Sequence, residues 1–162
     1  MTHLKPGDPA PDFSLARDDN TVLTKADLTG RPAVLFFYPE DDSGGCVDEN
    51  QEFSALAEAF AAQNAILVGV SPDTLESHRK FRAKYGLVVP LGADPERQTI
   101  ETFGLWQMKK LYGREFMGLV RTSFIIGADG RVAAIIRATR IKGHAAKVLT
   151  ALEELVKAGQ SA

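Results

Sequence analysis

Hydrophobic residues along the chain fall into runs and periods that predict alternating strands and helices. Ala33 to Tyr38 is a continuous apolar run, as expected of a buried strand, and Ala65 to Val70 is a second. Between them Phe53, Leu56, Ala57 and Phe60 recur at i, i+3, i+4 and i+7, which predicts a helix from near Cys46 to about Ala62. Strand, helix and strand in this order make a right-handed βαβ unit with a parallel pair at the centre of a sheet. Upstream, Phe13-Ser14-Leu15 and Thr21-Val22-Leu23 flank a polar turn at Asp18, Asp19 and Asn20, which predicts a short antiparallel hairpin.

Downstream, Asp73-Thr74-Leu75-Glu76 has a capping-box arrangement and opens a helix through Phe81 and Tyr85 that stops at Gly86. Val88 to Leu91 reads as a weak strand, and residues 96 to 103 as a short helix. Residues 104 to 120 show no period. Their Leu105, Trp106, Met108, Leu111, Tyr112, Phe116 and Met117, interleaved with Lys109, Lys110 and Arg114, suit a loop over the core or an adaptable surface for a partner or an apolar ligand. Thr122 to Ile126 and Val132 to Ile136 bracket Gly127-Ala128-Asp129-Gly130 as a second hairpin. A last helix, from about Gly143 to Gly159, buries Val148, Leu149, Leu152 and Val156. The expected architecture is α/β, a central mixed sheet with helices on both faces.

Composition narrows the function. With 162 residues, 44% of them apolar, the chain suits one domain spanning 1–162 with a real core. Nineteen Lys plus Arg against 21 Asp plus Glu, without a basic block, point away from nucleic acid and from a membrane surface. No signal-peptide order and no membrane-length apolar run are present, so a cytoplasmic location is expected. One cysteine excludes an internal disulfide. His3, His78 and His144 are scattered and offer no metal-ligand spacing, so neither a metal nor an organic cofactor is expected.

That single cysteine, Cys46, falls at a strand-to-helix junction. A thiol in the first turn of a helix sits among unpaired N–H groups at the positive end of the dipole, which favours thiolate. The spacing Pro39-x-x-x-Ser43-x-x-Cys46 supplies a strand-ending ring that shields the site and a hydroxyl that both donates and accepts. Gly44-Gly45 lets the backbone approach closely. Against the thiolate stand Asp41, Asp42, Asp48 and Glu49, all within a few residues of the sulfur.

The spacing resembles the peroxiredoxin active-site loop, Pro-x-x-x-Thr/Ser-x-x-Cys. The longer text FYPEDDSGGCVDE is most similar to the peroxiredoxin Q group, also called bacterioferritin comigratory proteins, whose usual text is close to FYPKDDTPGCTKE. The likeness runs from GDPAPDFSL through GVSPDTLESHRKF and KKLYGREFMGLVRTSFII to KGH. It implies a thioredoxin-like fold and a peroxidase in which the Cys46 thiolate attacks hydrogen peroxide or an organic hydroperoxide and becomes sulfenic acid. It also points to Arg121, before Thr122-Ser123-Phe124, as the cation that holds thiolate and peroxide together. The catalytic set it implies is Cys46, Ser43, Arg121 and Pro39.

Departures from that pattern carry their own expectations. Ser43 stands for the commoner Thr and Gly44 for a usual proline. Gln51 occupies the position, five residues after Cys46, where many of the group have a resolving cysteine. A one-cysteine mechanism follows, with regeneration by an external thiol: thioredoxin, glutaredoxin or a low-molecular-weight thiol. The protein is expected to be a monomer. The alternative is a thiol redox sensor that forms mixed disulfides with a target.

Overall fold

The structure is a computed structural model, and it describes residues 2–160. Among these, β1 (Ser14–Arg17), β2 (Val22–Thr24), β3 (Ala33–Phe37), β4 (Ile66–Ser71), β5 (Leu91–Ala93), β8 (Thr122–Ile126) and β9 (Val132–Arg137) form one sheet. Its order is β2-β1-β5-β4-β3-β8-β9. β3 pairs parallel with β4, and β4 with β5, while the remaining pairs are antiparallel. The sheet is therefore mixed, with the βαβ unit at its centre. Strand β5 starts at Leu91, three residues later than the pattern at Val88 suggested. Val88 itself is exposed, and its N–H is taken by Ser54 Oγ.

Every residue of β3 is fully buried, and alternation sends its side chains to two cores. Leu35 and Phe37 join Phe124, Phe103, Ile100 and Leu28 on one face. Val34 and Phe36 join Cys46, Phe53, Phe81, Val148 and Leu152 on the other. Helices α1 (Gly44–Ala55), α2 (Ala57–Ala62), α3 (Leu75–Tyr85) and α5 (His144–Gln160) cover this second face. The first face receives the short α4 (Gln98–Thr102) and a one-turn 3-10 helix at Lys25–Leu28. Both faces carry helix, as expected, but unequally.

Packing around Phe36 fixes where α1 lies. Its ring stacks on Phe53 with centroids 4.0 Å apart and planes 7° from parallel. On the other side it lies against Gly69, where an added β-carbon would come within 2.6 Å of the ring. A side chain at 69 would push Phe36 outward and α1 with it.

Three expectations are corrected. The helix foreseen from Cys46 to Ala62 is broken at Leu56, whose ψ of 6° takes it out of helical geometry; no Gly or Pro marks the break. The cap of α3 is Thr74, whose hydroxyl accepts from Ser77 N–H, because the Asp73 carboxylate is taken by Asp41 N–H and the Ser71 hydroxyl. Residues 104–120 are not irregular: β6 (Trp106–Leu111) and β7 (Arg114–Leu119) form a separate antiparallel hairpin. Its turn is Tyr112-Gly113, both at positive φ, the two-residue geometry that matches strand twist. Met108, Leu111, Phe116 and Met117 on this hairpin are exposed rather than folded onto the core.

Candidate active site

Ser43 opens α1 as its N-cap with extended φ and ψ, and the first helical bond runs from Val47 N–H to Ser43 O at 2.9 Å. Gly44, Gly45 and Cys46 are thus the first three helical residues, whose N–H groups have no partner within the helix. Ser43 places no side-chain bond on them. Its hydroxyl instead donates to Glu40 O at 3.2 Å. Cys46 is fully buried and its sulfur receives a hydrogen bond from Arg121 Nη2 at 3.3 Å. Arg121 immediately precedes β8, which pairs with β3, the strand that leads into α1. The shared sheet position brings the cation to the thiol across 75 residues of sequence.

The same guanidinium donates through Nη1 to Glu49 Oε1 at 2.5 Å. Glu49 lies one turn beyond Cys46 on α1 and is 1% exposed. Burial pushes its carboxyl up to about 7, with Arg121 pulling the other way. Its Oε2 accepts no hydrogen bond and faces His144 Nε2 at 3.9 Å. His144, in the first turn of α5, is within 2.8 Å of Ser123 Oγ. Burial, with the cations Lys147 and Arg121, pushes His144 down to about 4. Glu49 and Cys46 together hold the Arg121 guanidinium above its ordinary value against its own burial.

Asp41 and Asp42, expected to oppose a thiolate, are each engaged by side chains of α3. Asp41 accepts from the Tyr38 hydroxyl at 2.7 Å and the Ser77 hydroxyl at 2.7 Å, and lies 2.8 Å from His78 Nδ1. The other nitrogen of that buried ring is 3.0 Å from Gly92 O, which can only accept, so His78 must donate there. Asp42, at positive φ, pairs with Lys84 at 2.8 Å and takes the Tyr85 hydroxyl. These bonds lash the loop between β3 and α1 to α3. Asp48 is exposed. Pro39 is half-buried at the end of β3, directly before this loop.

Of the four residues singled out in sequence, Cys46 and Arg121 are in contact, while Pro39 and Ser43 lie on the loop that leads from β3 into α1. Sequence reasoning missed the partnership of Glu49 with Arg121 and the approach of His144. The one available signal was spacing, since i and i+3 on a helix share a face.

A buried thiol at a helix start on a mixed sheet, bonded by an arginine just before a neighbouring strand, defines a thioredoxin-like thiol protein. The chain belongs to the AhpC/TSA family, whose model matches residues 6–135. It is 38% identical over 149 residues to peroxiredoxin Bcp of Bacillus subtilis, which spans 92% of this chain and 95% of the relative. Among solved structures it is similar to a cysteine-to-serine mutant of PrxQ from Xylella fastidiosa, with a TM-score of 0.87 and 32% identity over 95% of this chain and 98% of that one. It is also similar to the Xanthomonas campestris bacterioferritin comigratory protein, whose structures concern alkyl peroxide reduction, at TM-score 0.85 and 30% identity over 96% and 99%. The resemblance read in FYPEDDSGGCVDE is borne out at the level of family and fold.

Proposed function

We propose that this protein is a one-cysteine peroxiredoxin that reduces hydrogen peroxide and organic hydroperoxides with electrons from an external thiol. The observation that carries the reading is the 3.3 Å bond from Arg121 to Cys46 Sγ at a helix start. The thiolate attacks one peroxide oxygen in line: an S–O bond forms, the O–O bond breaks, and water or an alcohol leaves after taking a proton. Arg121 and the N–H groups of Gly45 and Cys46 face negative charge as it passes from sulfur to the departing oxygen. Ser43 turns its hydroxyl from Glu40 O to the bound peroxide, and Pro39 shields the sulfur from water.

Regeneration then needs two thiols from outside, because Cys46 is the chain's one cysteine. The first forms a mixed disulfide with the sulfenic acid and releases water; the second reduces that disulfide. The protein acts as a single domain and as a monomer. Among the described residues no helix is long and apolar enough to cross a membrane.

Peroxide consumption by wild type and Cys46→Ser, each with thioredoxin, glutaredoxin and a small thiol, tests the proposal. Turnover with at least one donor that vanishes in the variant is expected. Stable adducts without turnover would instead point to a redox sensor.

A further inference from the structure

Arg121 serves two acids with one charge. Its Nη2 reaches Cys46 Sγ at 3.3 Å and its Nη1 reaches Glu49 Oε1 at 2.5 Å. If both acids ionise, two negative charges one helical turn apart compete for a single guanidinium in a buried site. Like charges so placed oppose one another's ionisation.

The surroundings of Glu49 decide which of the two keeps a proton. From α1, the like charge of Glu52 disfavours the carboxylate. From the segment before β8, Arg121 is the cation that favours it. From α5 comes His144, which the site holds neutral near pH 7, so it presents no positive charge to the carboxylate. Oε2 has no donor, a costly position for a buried carboxylate oxygen. A proton on Oε2 removes the uncompensated charge from that oxygen, whose nearest ring nitrogen, His144 Nε2 beside Ser123, lies 3.9 Å away.

We propose that Cys46 and Glu49 share one proton across Arg121, so that the reactive resting site is a Cys46 thiolate beside a neutral Glu49 with its proton on Oε2. The exchange is proton transfer alone: the S–H bond is lost, an O–H bond on Glu49 is gained, and the total charge of the two acids and Arg121 is unchanged. Glu49 is a positioning residue. While neutral, it leaves Arg121 to the sulfur; its ionisation as pH rises through about 7 draws the guanidinium toward the carboxylate and slows attack on peroxide. This deepens the peroxidase reading and rests on Cys46 being the reacting thiol.

Difference infrared spectroscopy of the carboxyl stretch, recorded against pH for wild type, Glu49→Gln and Cys46→Ser, tests it. Wild type should show a protonated carboxyl that disappears near pH 7 and is missing from Glu49→Gln. In Cys46→Ser, with no thiolate drawing on Arg121, that carboxyl should ionise about one pH unit lower or more, the coupling expected of two interacting sites. The single-turnover rate of peroxide reduction should fall on the alkaline side in wild type and not in Glu49→Gln. A wild-type Glu49 already ionised at pH 5, or one with the same midpoint in Cys46→Ser, would overturn the proposal. Because the infrared readout needs no turnover, a failure of the peroxidase reading would show separately, as coupled titration without peroxide consumption.

Discussion

Ile141 Cδ1 lies only 2.7 Å from where a β-carbon on Gly45 would stand, and Arg121 Nη2 lies 3.5 Å from the same point. The residue before Cys46 is therefore kept small by Ile141, and a methyl there would rest against Arg121 at ordinary contact distance. Gly45→Ala should cost about 1–3 kcal/mol of stability, as overpacking does, and, by pushing Ile141 aside next to the thiol-bearing turn, slow peroxide reduction. Trimming Ile141 in Gly45→Ala/Ile141→Ala should restore both, so the two changes should be non-additive in a double-mutant cycle. Additive losses would place the effect elsewhere.

Removing the guanidinium separates chemistry from folding. Arg121→Ala should lower the second-order rate with peroxide on the order of 10²-fold, the usual loss for one preorganised donor at a site of developing charge. It should also leave less of Cys46 as thiolate at neutral pH, read by absorbance of the thiolate. Arg121→Lys should recover only part of the rate, since one ammonium cannot reach both Glu49 Oε1 and Cys46 Sγ as the planar fork does. An unchanged rate in Arg121→Ala would remove this residue from the mechanism.

Two buried groups impose opposite pH dependence on stability. Glu49 is raised from 4.5 to about 7, so its contribution to folding is full below pH 4.5 and lost as pH rises through 7. His144 is lowered from 6.5 to about 4, so its contribution is full above pH 6.5 and lost as pH falls through 4. Between pH 4.5 and 6.5 the slopes oppose each other, and above 6.5 the Glu49 loss stands alone. Urea unfolding of Glu49→Gln should show that alkaline decline removed, a difference of about 3 kcal/mol relative to wild type between pH 4.5 and 8. Parallel curves for the two proteins would mean that Glu49 does not titrate in this range.

What could be read before the fold was known follows from how local each signal is. Cys46 at a helix start and the buried β3 strand show in contiguous residues, because period and turn chemistry are local. Arg121 was visible only through its likeness to a family pattern, since its meeting with Cys46 depends on β8 lying beside β3. The charges of Asp41 and Asp42 were counted correctly, but their partners were not legible: Ser77, His78, Lys84 and Tyr85, which take them up, come from α3. The β6–β7 hairpin escaped notice because Lys109 and Lys110 interrupt its alternation. Its turn also places Tyr112, which is not a usual turn residue, at φ of 52°.

A lone thiol makes the oxidation products at cysteine countable. One equivalent of peroxide should add one oxygen to Cys46, and excess should add two or three, because no second thiol in the chain traps the sulfenic acid. Peptide mass spectrometry reads these additions at Cys46, apart from sulfoxides on the exposed Met108 and Met117. A Cys46 left unmodified under conditions that oxidise free cysteine would remove the basis for any peroxidase activity.

Gln51 offers the sharpest test of how the one-cysteine route is enforced. It is exposed on α1 and borders an open cleft with Asp48, Glu52, Ala55, Ile141 and Lys142, so Gln51→Cys should leave the reduced fold unchanged. Because α1 is continuous from Gly44 to Ala55, residues 46 and 51 have α-carbons about 8 to 9 Å apart from the rise and turn of a helix. A disulfide needs them within roughly 7 Å, so a bridge requires the first turn to unwind. Holding that turn are the Asp41 and Asp42 bonds to α3 and the Gly143 N–H bond to Glu52 at 3.0 Å. Favouring release are Gly44 and Gly45, the missing side-chain cap and the exposure of the Asp42–Lys84 pair to water. The Gln51→Cys variant should therefore form the bridge under peroxide, resist further oxidation of Cys46, become reducible by thioredoxin, and lose a little helical circular dichroism on oxidation. If it over-oxidises as fast as wild type with no bridge by mass, the lashed loop keeps the first turn closed. The external-thiol route would then be a property of the fold as well as of the residue at position 51.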